Sequence, residues 1–370
     1  MNIGRLLQQQ GEVRLIVIRY GELAKQELEA TRAVFGDFDY YVPENSAGRG
    51  ITPRIRRGVD LRWVRGRTET VSADVQARIA KLCADYDIIW IHTLAAADRL
   101  GRYSWLPNSV LDVDDLHSRK HKQQIRFEKG IGNKARSAWR MLLQVRWEKD
   151  ILNRFGAACV CSDIDRRFFK NDRRVFILPN GFEVSSEEPA RNLNGFARIG
   201  FIGTLSYRPN FEGLNWFIKK ILPRIVVNNP GVCLRVVGKI PDNMKLVERP
   251  NVRYLGFMDD PSGEISTWSV SIVPLRVGGG TRIKILESFS RMCPVVSTSV
   301  GAYGLEVQNN RHLLICDQAD EFAQACTRLL GQPDAAAILA KQGRALLKEK
   351  YTWESSRRAV ENVLERCAGG

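Results

Sequence analysis

Short apolar runs alternate with amphipathic stretches along most of this sequence, and the alternation restricts the fold to a small set. In the second half the runs are ARIGFIG, CLRVVG, VRYLGF, VSIVPL, PVVSTS and HLLIC. In the first half they are Val13–Ile18, Ile88–Ile91, Val110–Val113, Ala158–Cys161 and Val175–Leu178. Strands that are apolar on both faces form parallel sheets covered by helices on both sides. The sequence therefore predicts an α/β protein.

The two series of strands predict two domains, each with its own sheet. A chain of 370 residues is long enough for two hydrophobic cores of ordinary size. Residues 179–195, PNGFEVSSEEPARNLNG, collect the Pro, Gly, Asn and Ser that are typical of a joint between domains. We therefore expect two Rossmann-like, doubly wound domains that face each other across a cleft, with ligands at the carboxyl ends of the strands.

Composition and cysteine usage exclude several classes of protein. No apolar run approaches the roughly 18 residues of a membrane span, and the N-terminal residues lack the pattern of a signal peptide. The eight cysteines are scattered and include no CxxC pair, which indicates free thiols in a reducing compartment rather than metal ligands. We expect a cytoplasmic protein.

Positive charge concentrates in residues 119–174, where 16 Lys and Arg stand against 6 Asp and Glu. Within this basic segment, Trp139, Leu143, Trp147 and Ile151 recur every four residues, as in the apolar stripe of an amphipathic helix. In one interpretation the stripe docks on a core and leaves a solvated basic face. In the other, the segment attracts an anionic surface, either a membrane leaflet or nucleic acid. Composition leaves both interpretations open.

The sequence PLRVGGGTRIKILESFS, residues 274–290, joins an apolar strand to an amphipathic helix through three glycines. A glycine loop at a helix N-terminus presents backbone N–H groups and a positive dipole end to an anion. Thr281 is the expected N-cap. Arg282 and Lys284 add positive charge, and Glu287 shares a helix face with Lys284. The pattern predicts a site for a phosphorylated ligand with a hydroxylated tail; the alternative is a mobile loop beside an ordinary ion pair.

Five motifs together resemble the family 4 (group 1) glycosyltransferases of the GT-B fold, of the bacterial polysaccharide-biosynthesis type. They are ILPNGFE, FIGTLSYRPNFEGLNWF, LGFMDD, VPLRVGGGTRIKILESFSRMCPVVSTSVGAYGLEV and YTWE. The resemblance implies an acceptor-side domain at residues 1–182 and a nucleotide-sugar-binding domain at residues 183–351. It also implies that a last helix, within residues 352–370, crosses back onto the first domain.

The resemblance places a nucleoside-diphosphate sugar on the second domain. It implies that Arg282 and Lys284 contact the diphosphate and that Glu287 holds the ribose. Classical members of the family carry a second Glu near the donor sugar, where this chain has Gly279. The remaining donor-side residues that the resemblance implies are Gly203, Arg208, Gly278, Gly279, Gly280 and Thr281.

A cluster of polar residues, LDVDDLHS, follows a strand of the first domain at residues 111–118. The resemblance implies that Asp115, and after it His117 and Asp114, hydrogen-bonds the acceptor hydroxyl. The alternative is that the carboxylates cap the basic helix that follows. Asp112 and Asp114 mimic a metal-binding DxD motif. However, a chain with two Rossmann-like domains resembles the metal-independent class, so we expect no metal and no cofactor.

The sequence thus predicts a glycosyltransferase that moves a sugar from a nucleoside-diphosphate donor to a polysaccharide or lipid-linked acceptor, with retention. His92 and Asn180 are expected to line the cleft, although His92 also fits a structural role. A lipid-linked acceptor favours the inner face of the plasma membrane over nucleic acid as the partner of the basic segment. The alternatives are a nucleotide-sugar epimerase of the same fold and a catalytically inactive binding protein, the latter because of Gly279.

The N-terminal residues MNIGRLLQQQGEVRLIVI lack the strand and glycine loop with which a GT-B first domain opens. Residues 3–10 resemble the end of the first helix and Val13–Ile18 the second strand. We therefore expect the first sheet to lack its usual first strand, which leaves unpaired backbone groups. In the alternative, Val13–Ile18 is itself the first strand and residues 19–36 form the first helix.

Overall fold

The computed structural model describes residues 2–18, 25–41, 70–100, 108–125, 130–193, 195, 197–278 and 282–368. The chain divides into two compact units. The first comprises Met1–Leu178 with Arg357–Gly370, and the second comprises Pro179–Ser356. No described helix is both long enough and apolar enough to cross a membrane.

The described residues of the first unit form two parallel sheets. The larger has the strand order β3-β4-β5-β6, and the smaller pairs β1 with β2. Its strands are β1 (Ile16–Ile18), β2 (Asp39–Tyr41), β3 (Ile89–His92), β4 (Ser109–Asp112), β5 (Ala157–Val160) and β6 (Val175–Ile177). Its helices are α1 (Asn2–Gln8), α2 (Lys25–Phe35), α3 (Ala73–Cys83), α4 (Leu94–Leu100), α5 (His117–Ile125), α6 (Ile131–Leu152) and α7 (Asp163–Phe168).

The first elements fit both interpretations of the N-terminal residues, because helix α1 precedes β1, helix α2 follows it, and β1 pairs with β2 apart from the larger sheet. Strand β1 lies within the predicted run Val13–Ile18, and helix α2 lies within the alternative first helix at residues 19–36. Ile16 and Ile18 pack against the core of this unit, and the Ile18 carbonyl accepts a hydrogen bond from Arg99 at 2.9 Å. Strand β2 was not predicted. Its three residues, DYY, are too short to show a period.

The second unit contains one parallel sheet of six strands in the order β12-β11-β10-β7-β8-β9. The strands are β7 (Arg198–Ile202), β8 (Cys233–Val237), β9 (Val252–Gly256), β10 (Val270–Val273), β11 (Val295–Ser297) and β12 (Leu314–Ile315). The helices are α8 (Arg208–Trp216), α9 (Leu222–Asn228), α10 (Ser262–Ser266), α11 (Ile283–Ser290), α12 (Ala319–Gly331) and α13 (Pro333–Lys350). One π-helical turn, Phe217–Ile221, joins α8 to α9.

A last helix, α14 (Trp353–Ala368), begins in the second unit and ends in the first. The largest core of the chain lies in the second unit, where strands β7, β8 and β10 contribute fully buried aliphatic and aromatic side chains. The strand runs predicted from apolar character are therefore confirmed in both units, as is the predicted α/β class with parallel sheets.

The order of strands in the second unit reverses at one point. From β7 the chain moves outward through β8 and β9, and then returns to place β10 on the other side of β7. In open parallel sheets, ligands bind beyond the carboxyl ends of the two strands that flank such a reversal. The carboxyl ends of β7 and β10 therefore mark the place where a ligand is expected.

Candidate functional site

Three segments of the second unit meet at this reversal. Gly203 follows β7 directly, residues 274–278 follow β10, and Arg282 precedes α11. These are the segments in which sequence predicts the donor-side residues. The contacts among these three segments show whether the predicted residues form one cluster.

Lys284 and Asn210 form the centre of the cluster. The Lys284 Nζ donates a hydrogen bond to Asn210 Oδ1 at 2.8 Å and lies 4.8 Å from the centre of the buried Phe201 ring. The Asn210 Nδ2 in turn donates to the Thr204 carbonyl at 2.9 Å, which fixes the amide so that its oxygen faces the lysine. Asn210 is itself buried.

The environment of Lys284 disfavours its own positive charge. Burial, and then the neighbouring Arg282, lower the pKa of the ammonium to about 7, while Glu287 opposes the shift. A charged group in such surroundings gains strongly from an anion, because the anion replaces the lost hydration. The site is therefore suited to a ligand that carries negative charge.

Arg282 lies beside Lys284 and is almost completely buried. A Cβ atom at Gly278 would come within 2.5 Å of Arg282 Nη2, and the Gly278 φ angle of +144° is one that other residues rarely adopt. Glycine at position 278 therefore makes room for the guanidinium.

Glu287 lies one turn further along α11. Burial raises the pKa of its carboxyl group, while Arg291 and Lys284 lower it. Among the residues that the structure describes, no side chain donates a hydrogen bond at its carboxylate. A half-buried carboxylate beside two cationic groups can accept hydrogen bonds from a polyol.

Some predicted donor-side residues lie elsewhere or outside the described residues. Outside the described residues are Gly279, Gly280 and Thr281. Helix α11 begins at Ile283 with Arg282 in the N-cap position, and Thr281, the predicted N-cap, lies outside the described residues. Arg208 begins α8, is mostly exposed, and pairs with Glu212 at 2.6 Å, four residues along the same helix.

Gly203 offers a direct test of this geometry. Its φ angle is +153°, and a Cβ atom would lie 2.7 Å from both Asn210 Nδ2 and Lys284 Nζ. Gly203→Ala is expected to lower the free energy of unfolding by about 1–3 kcal/mol, through strain and overpacking, and to weaken anion binding by displacing Lys284. Urea unfolding and calorimetry with inorganic diphosphate measure the two effects. Gly231→Ala, where a Cβ would meet nothing, is the matched control; equal results for both variants would contradict the geometry.

The first unit carries a second cluster at the carboxyl ends of β3 and β4. His92 Nδ1 lies 2.8 Å from Asp112 Oδ2, with side-chain exposures of 58% for the histidine and 4% for the aspartate. The hydrogen bond to Asp112 raises the pKa of His92, against the opposing effect of burial. Burial, and then the charge of Asp112, raise the pKa of Asp114. A His–Asp pair of this kind is a common device for orienting an imidazole.

The other predicted residues of the first unit are placed differently. Asp115 is half-buried and its N–H donates to the Val113 carbonyl at 2.6 Å. His117 is the exposed first residue of α5. The N-terminus of this helix is held by Glu148 of α6, whose buried Oε1 accepts the Ser118 N–H at 2.9 Å. Asn180 is the second residue of the second unit.

Sequence reasoning missed two of the partners that define these clusters. Asn210 stands in the motif FIGTLSYRPN, but only the fold brings it to Lys284, 74 residues away. Asp112 was treated as part of a DxD motif, whereas its carboxylate pairs with His92. Within the described part of the chain, no group of three His, Cys, Asp or Glu side chains is arranged to hold a metal ion.

Comparisons with known proteins found a family model and solved structures that are similar to this chain. Residues 197–332 match the family model described as Glycosyl transferases group 1. Sucrose-phosphate synthase from Thermosynechococcus elongatus is similar in structure, with a TM-score of 0.67 and 16% identity, over 98% of this chain and 91% of that one. HepE from Anabaena, solved with UDP and glucose, gives a TM-score of 0.62 and 14% identity, over 98% and 94% of the two chains.

The chain has the GT-B fold. The GT-B fold was predicted from the sequence motifs, and the two solved structures confirm it over nearly the whole chain. At these low identities the structural likeness establishes the fold alone.

One curated relative of this GT-B chain is similar in sequence. It is an uncharacterized 44.6 kDa protein in the cps region of Klebsiella pneumoniae, 22% identical over an alignment of 266 residues that covers 67% of this chain and 68% of that protein. Because that relative is uncharacterized, it adds a context and no activity.

Proposed function

We propose that this GT-B chain is a glycosyltransferase, which moves a sugar from a nucleoside-diphosphate donor to a hydroxyl group of a glycan or lipid-linked acceptor. The observation that carries the proposal is the position of Lys284, with Arg282 and Glu287, at the strand reversal of the second unit. The match of residues 197–332 to the group 1 glycosyl transferases supports it.

The chemistry of sugar transfer explains why two cations and a carboxylate would stand together. As the glycosidic bond breaks, negative charge accumulates on the departing diphosphate, and fixed cations in a partly dry site stabilise that charge. Lys284 and Arg282 would supply this stabilisation. Glu287 would accept hydrogen bonds from the ribose hydroxyls, which fixes the nucleoside end of the donor.

The acceptor would meet the cluster in the first unit. The Nδ1–H of His92 donates to the Asp112 carboxylate, so the neutral ring keeps its Nε2 lone pair for a substrate hydroxyl. His92 would hold the acceptor hydroxyl, with Asp112 as the group that orients the ring. In this proposal His92 replaces Asp115, His117 and Asp114, the candidates from sequence, because it is both exposed and held by a buried partner.

The finer details of the reaction follow the family 4 resemblance. The reaction would keep the configuration of the anomeric carbon without a metal, and the acceptor proton would pass to His92 Nε2 as the bond between the sugar and the diphosphate breaks. The UDP bound to HepE favours a uridine nucleotide as the first donor to test. The cps-region relative favours an acceptor from polysaccharide biosynthesis.

A donor screen tests the proposed function. Purified protein is incubated with UDP-, GDP- and ADP-sugars, and release of nucleoside diphosphate is measured with and without a lipid-linked or oligosaccharide acceptor. We expect release from one donor class, stimulated by acceptor, and a product of retained anomeric configuration by NMR. Conversion of the donor into its epimer, or donor binding with no turnover under any condition, would contradict the proposal.

The proposed role of Glu287 makes a separate prediction. Glu287→Ala is expected to weaken UDP binding by roughly 1.5–3 kcal/mol, the scale of a hydrogen bond to a charged group. The unmodified chain should prefer UDP over 2′-deoxy-UDP, and the variant should lose that preference because its ribose partner is gone. Calorimetry with both nucleotides measures this. Inorganic diphosphate, which has no ribose, is the control ligand and should bind both proteins alike. An undiminished preference for UDP in the variant would exclude this role.

A further inference from the structure

Helix α6 has two apolar faces on nearly opposite sides. At 3.6 residues per turn, its buried residues Gln144, Trp147, Glu148 and Ile151 point to one side. Trp147 and Ile151 pack into the core of the first unit. The predicted stripe is thus only half correct, because its first member, Trp139, is exposed.

The second face lies on the first half of the helix. Exposed there are Ile131 at 88%, Trp139 at 51% and Leu142 at 55%, and Ala135 and Ala138 fall on the same side. None of residues 131–143 is buried. A cluster of large apolar side chains that stays in water is unusual on a monomeric surface and marks an interaction site. We call this cluster the exposed α6 face.

Basic residues surround the exposed α6 face. Lys134 and Arg136 are exposed and flank it on either side of the helix, in a segment (residues 119–174) with a net charge of +10. Apolar side chains flanked by cations are the arrangement with which an amphipathic helix lies in the interface of an anionic membrane. The cations meet lipid headgroups while the apolar side chains enter the acyl boundary.

We propose that the exposed α6 face docks on an anionic lipid bilayer. This proposal goes beyond glycosyl transfer and does not depend on it, because it rests on the exposure and charge of α6 alone. The face enters no deeper than the boundary between the headgroups and the acyl chains, and the helix remains packed on the first unit through its opposite side.

Charge decides between a bilayer and the other occupants. In a symmetric dimer through this face, the flanking lysine and arginine of each copy would meet those of the other, which is repulsive. Nucleic acid would be attracted by the cations but would leave Trp139, Ile131 and Leu142 without apolar contacts. A bilayer of anionic lipids offers negative charge to the flanking lysine and arginine, and apolar contacts to Trp139, Ile131 and Leu142.

Sedimentation with vesicles tests the proposal on the full chain. We expect binding to vesicles of 70% phosphatidylcholine and 30% phosphatidylglycerol, decreasing as salt rises, and much weaker binding to pure phosphatidylcholine. The variant Trp139→Ser/Leu142→Ser should bind at least about tenfold more weakly, since it loses two buried apolar side chains. Ile338→Ser, an equally exposed apolar residue in the second unit, is the matched control and should bind like the unmodified chain.

Two further measurements test which residues of α6 contact the bilayer. Vesicles containing dibrominated phosphatidylcholine should quench part of the tryptophan fluorescence, and Trp139→Leu should abolish this quenching while still binding. Charge reversal, Lys134→Glu/Arg136→Glu, should lower binding without removing any apolar side chain. Equal binding to neutral vesicles, no binding to either composition, or unchanged binding of the serine variant would overturn the proposal. So would a dimer in analytical ultracentrifugation that dissociates in the serine variant, since it would assign the face to a second copy.

Discussion

Replacement of Lys284 by methionine is expected to weaken UDP binding by about 2–5 kcal/mol, the cost of removing one partner of a buried, hydrogen-bonded charge pair. This corresponds to a dissociation constant raised roughly 30- to several-thousand-fold. Calorimetry at pH 6.5 measures it, where most of the lysine is charged. Lys219→Met, an exposed lysine of the same unit, is the matched control. Unchanged affinity in the Lys284 variant would remove the group that carries the proposed function.

Lys284→Met should lose affinity for UDP and still fold. Burial lowers the pKa of Lys284 from 10.5 to about 7, so between these values the folded state binds fewer protons than the unfolded state. The free energy of unfolding of the unmodified chain is therefore expected to gain a contribution from Lys284 that rises with pH over this range. Lys284→Met lacks this rise. Urea unfolding of both proteins at pH 7 and pH 9 measures the difference and separates lost binding from lost stability.

The same pKa makes nucleotide binding depend on pH. A bound diphosphate stabilises the ammonium form and raises the pKa of Lys284, so above pH 7 binding takes up a proton. Affinity for UDP is expected to fall as pH rises from 7 to 9, by up to about tenfold per unit. Calorimetry at pH 8 in buffers of different ionisation enthalpy should show proton uptake, and Lys284→Met should show none. Equal affinity at pH 7 and pH 9 would show that Lys284 does not face the diphosphate.

The fold and the donor-side residues of the second unit could be predicted because their signals are local. A buried parallel strand such as Val270–Val273 is apolar at every position but Ser271, and the loop and helix that follow it stand next to it in the sequence. Once the strand is located, the sequence also gives the positions of Arg282, Lys284 and Glu287 beyond its carboxyl end. The three-residue strand β2 carries no such pattern.

The partners of these residues could not be predicted, because they come from distant parts of the chain. Asn210 approaches Lys284 only because β7 and β10 are neighbours in the sheet, an order that apolar runs do not reveal. His92 and Asp112 are 20 residues apart and meet because β3 and β4 pair in parallel register. The sequence favoured Asp115 for its position in a motif. The structure favours His92, because its exposed ring is held by the buried carboxylate of Asp112.

His92→Ala is expected to lower the rate of sugar transfer by about 10²-fold, the scale for losing the group that positions a reacting hydroxyl. Affinity for UDP should not change, because the donor-side residues of the second unit are intact. The rival assignment is tested by His117→Ala, since sequence alone predicts His117 and the structure places it outside the His92–Asp112 pair. A loss of transfer in His117→Ala with full activity in His92→Ala would reverse the assignment. Transfer rates with saturating donor and varied acceptor measure both variants.

Asp112→Asn tests whether the aspartate orients the imidazole. The carboxylate can only accept, so it keeps the proton of the neutral ring on Nδ1 and leaves Nε2 free to accept from the acceptor hydroxyl. The amide of asparagine can donate to Nδ1 instead, which moves the ring proton to Nε2 and blocks that hydrogen bond. We therefore expect a loss close to that of His92→Ala, with little further loss in the double variant.

The pH profile of the unmodified enzyme provides the independent readout. Asp112 raises the pKa of His92 above its ordinary value of 6.5. Below that raised pKa the ring is protonated, and Nε2 can no longer accept a hydrogen bond from the hydroxyl of the acceptor. The transfer rate should therefore fall on the acid side, with a midpoint above pH 6.5. This acid limb should persist in His117→Ala and vanish from the residual activity of His92→Ala. Persistence of the limb in His92→Ala would mean that another group holds the acceptor.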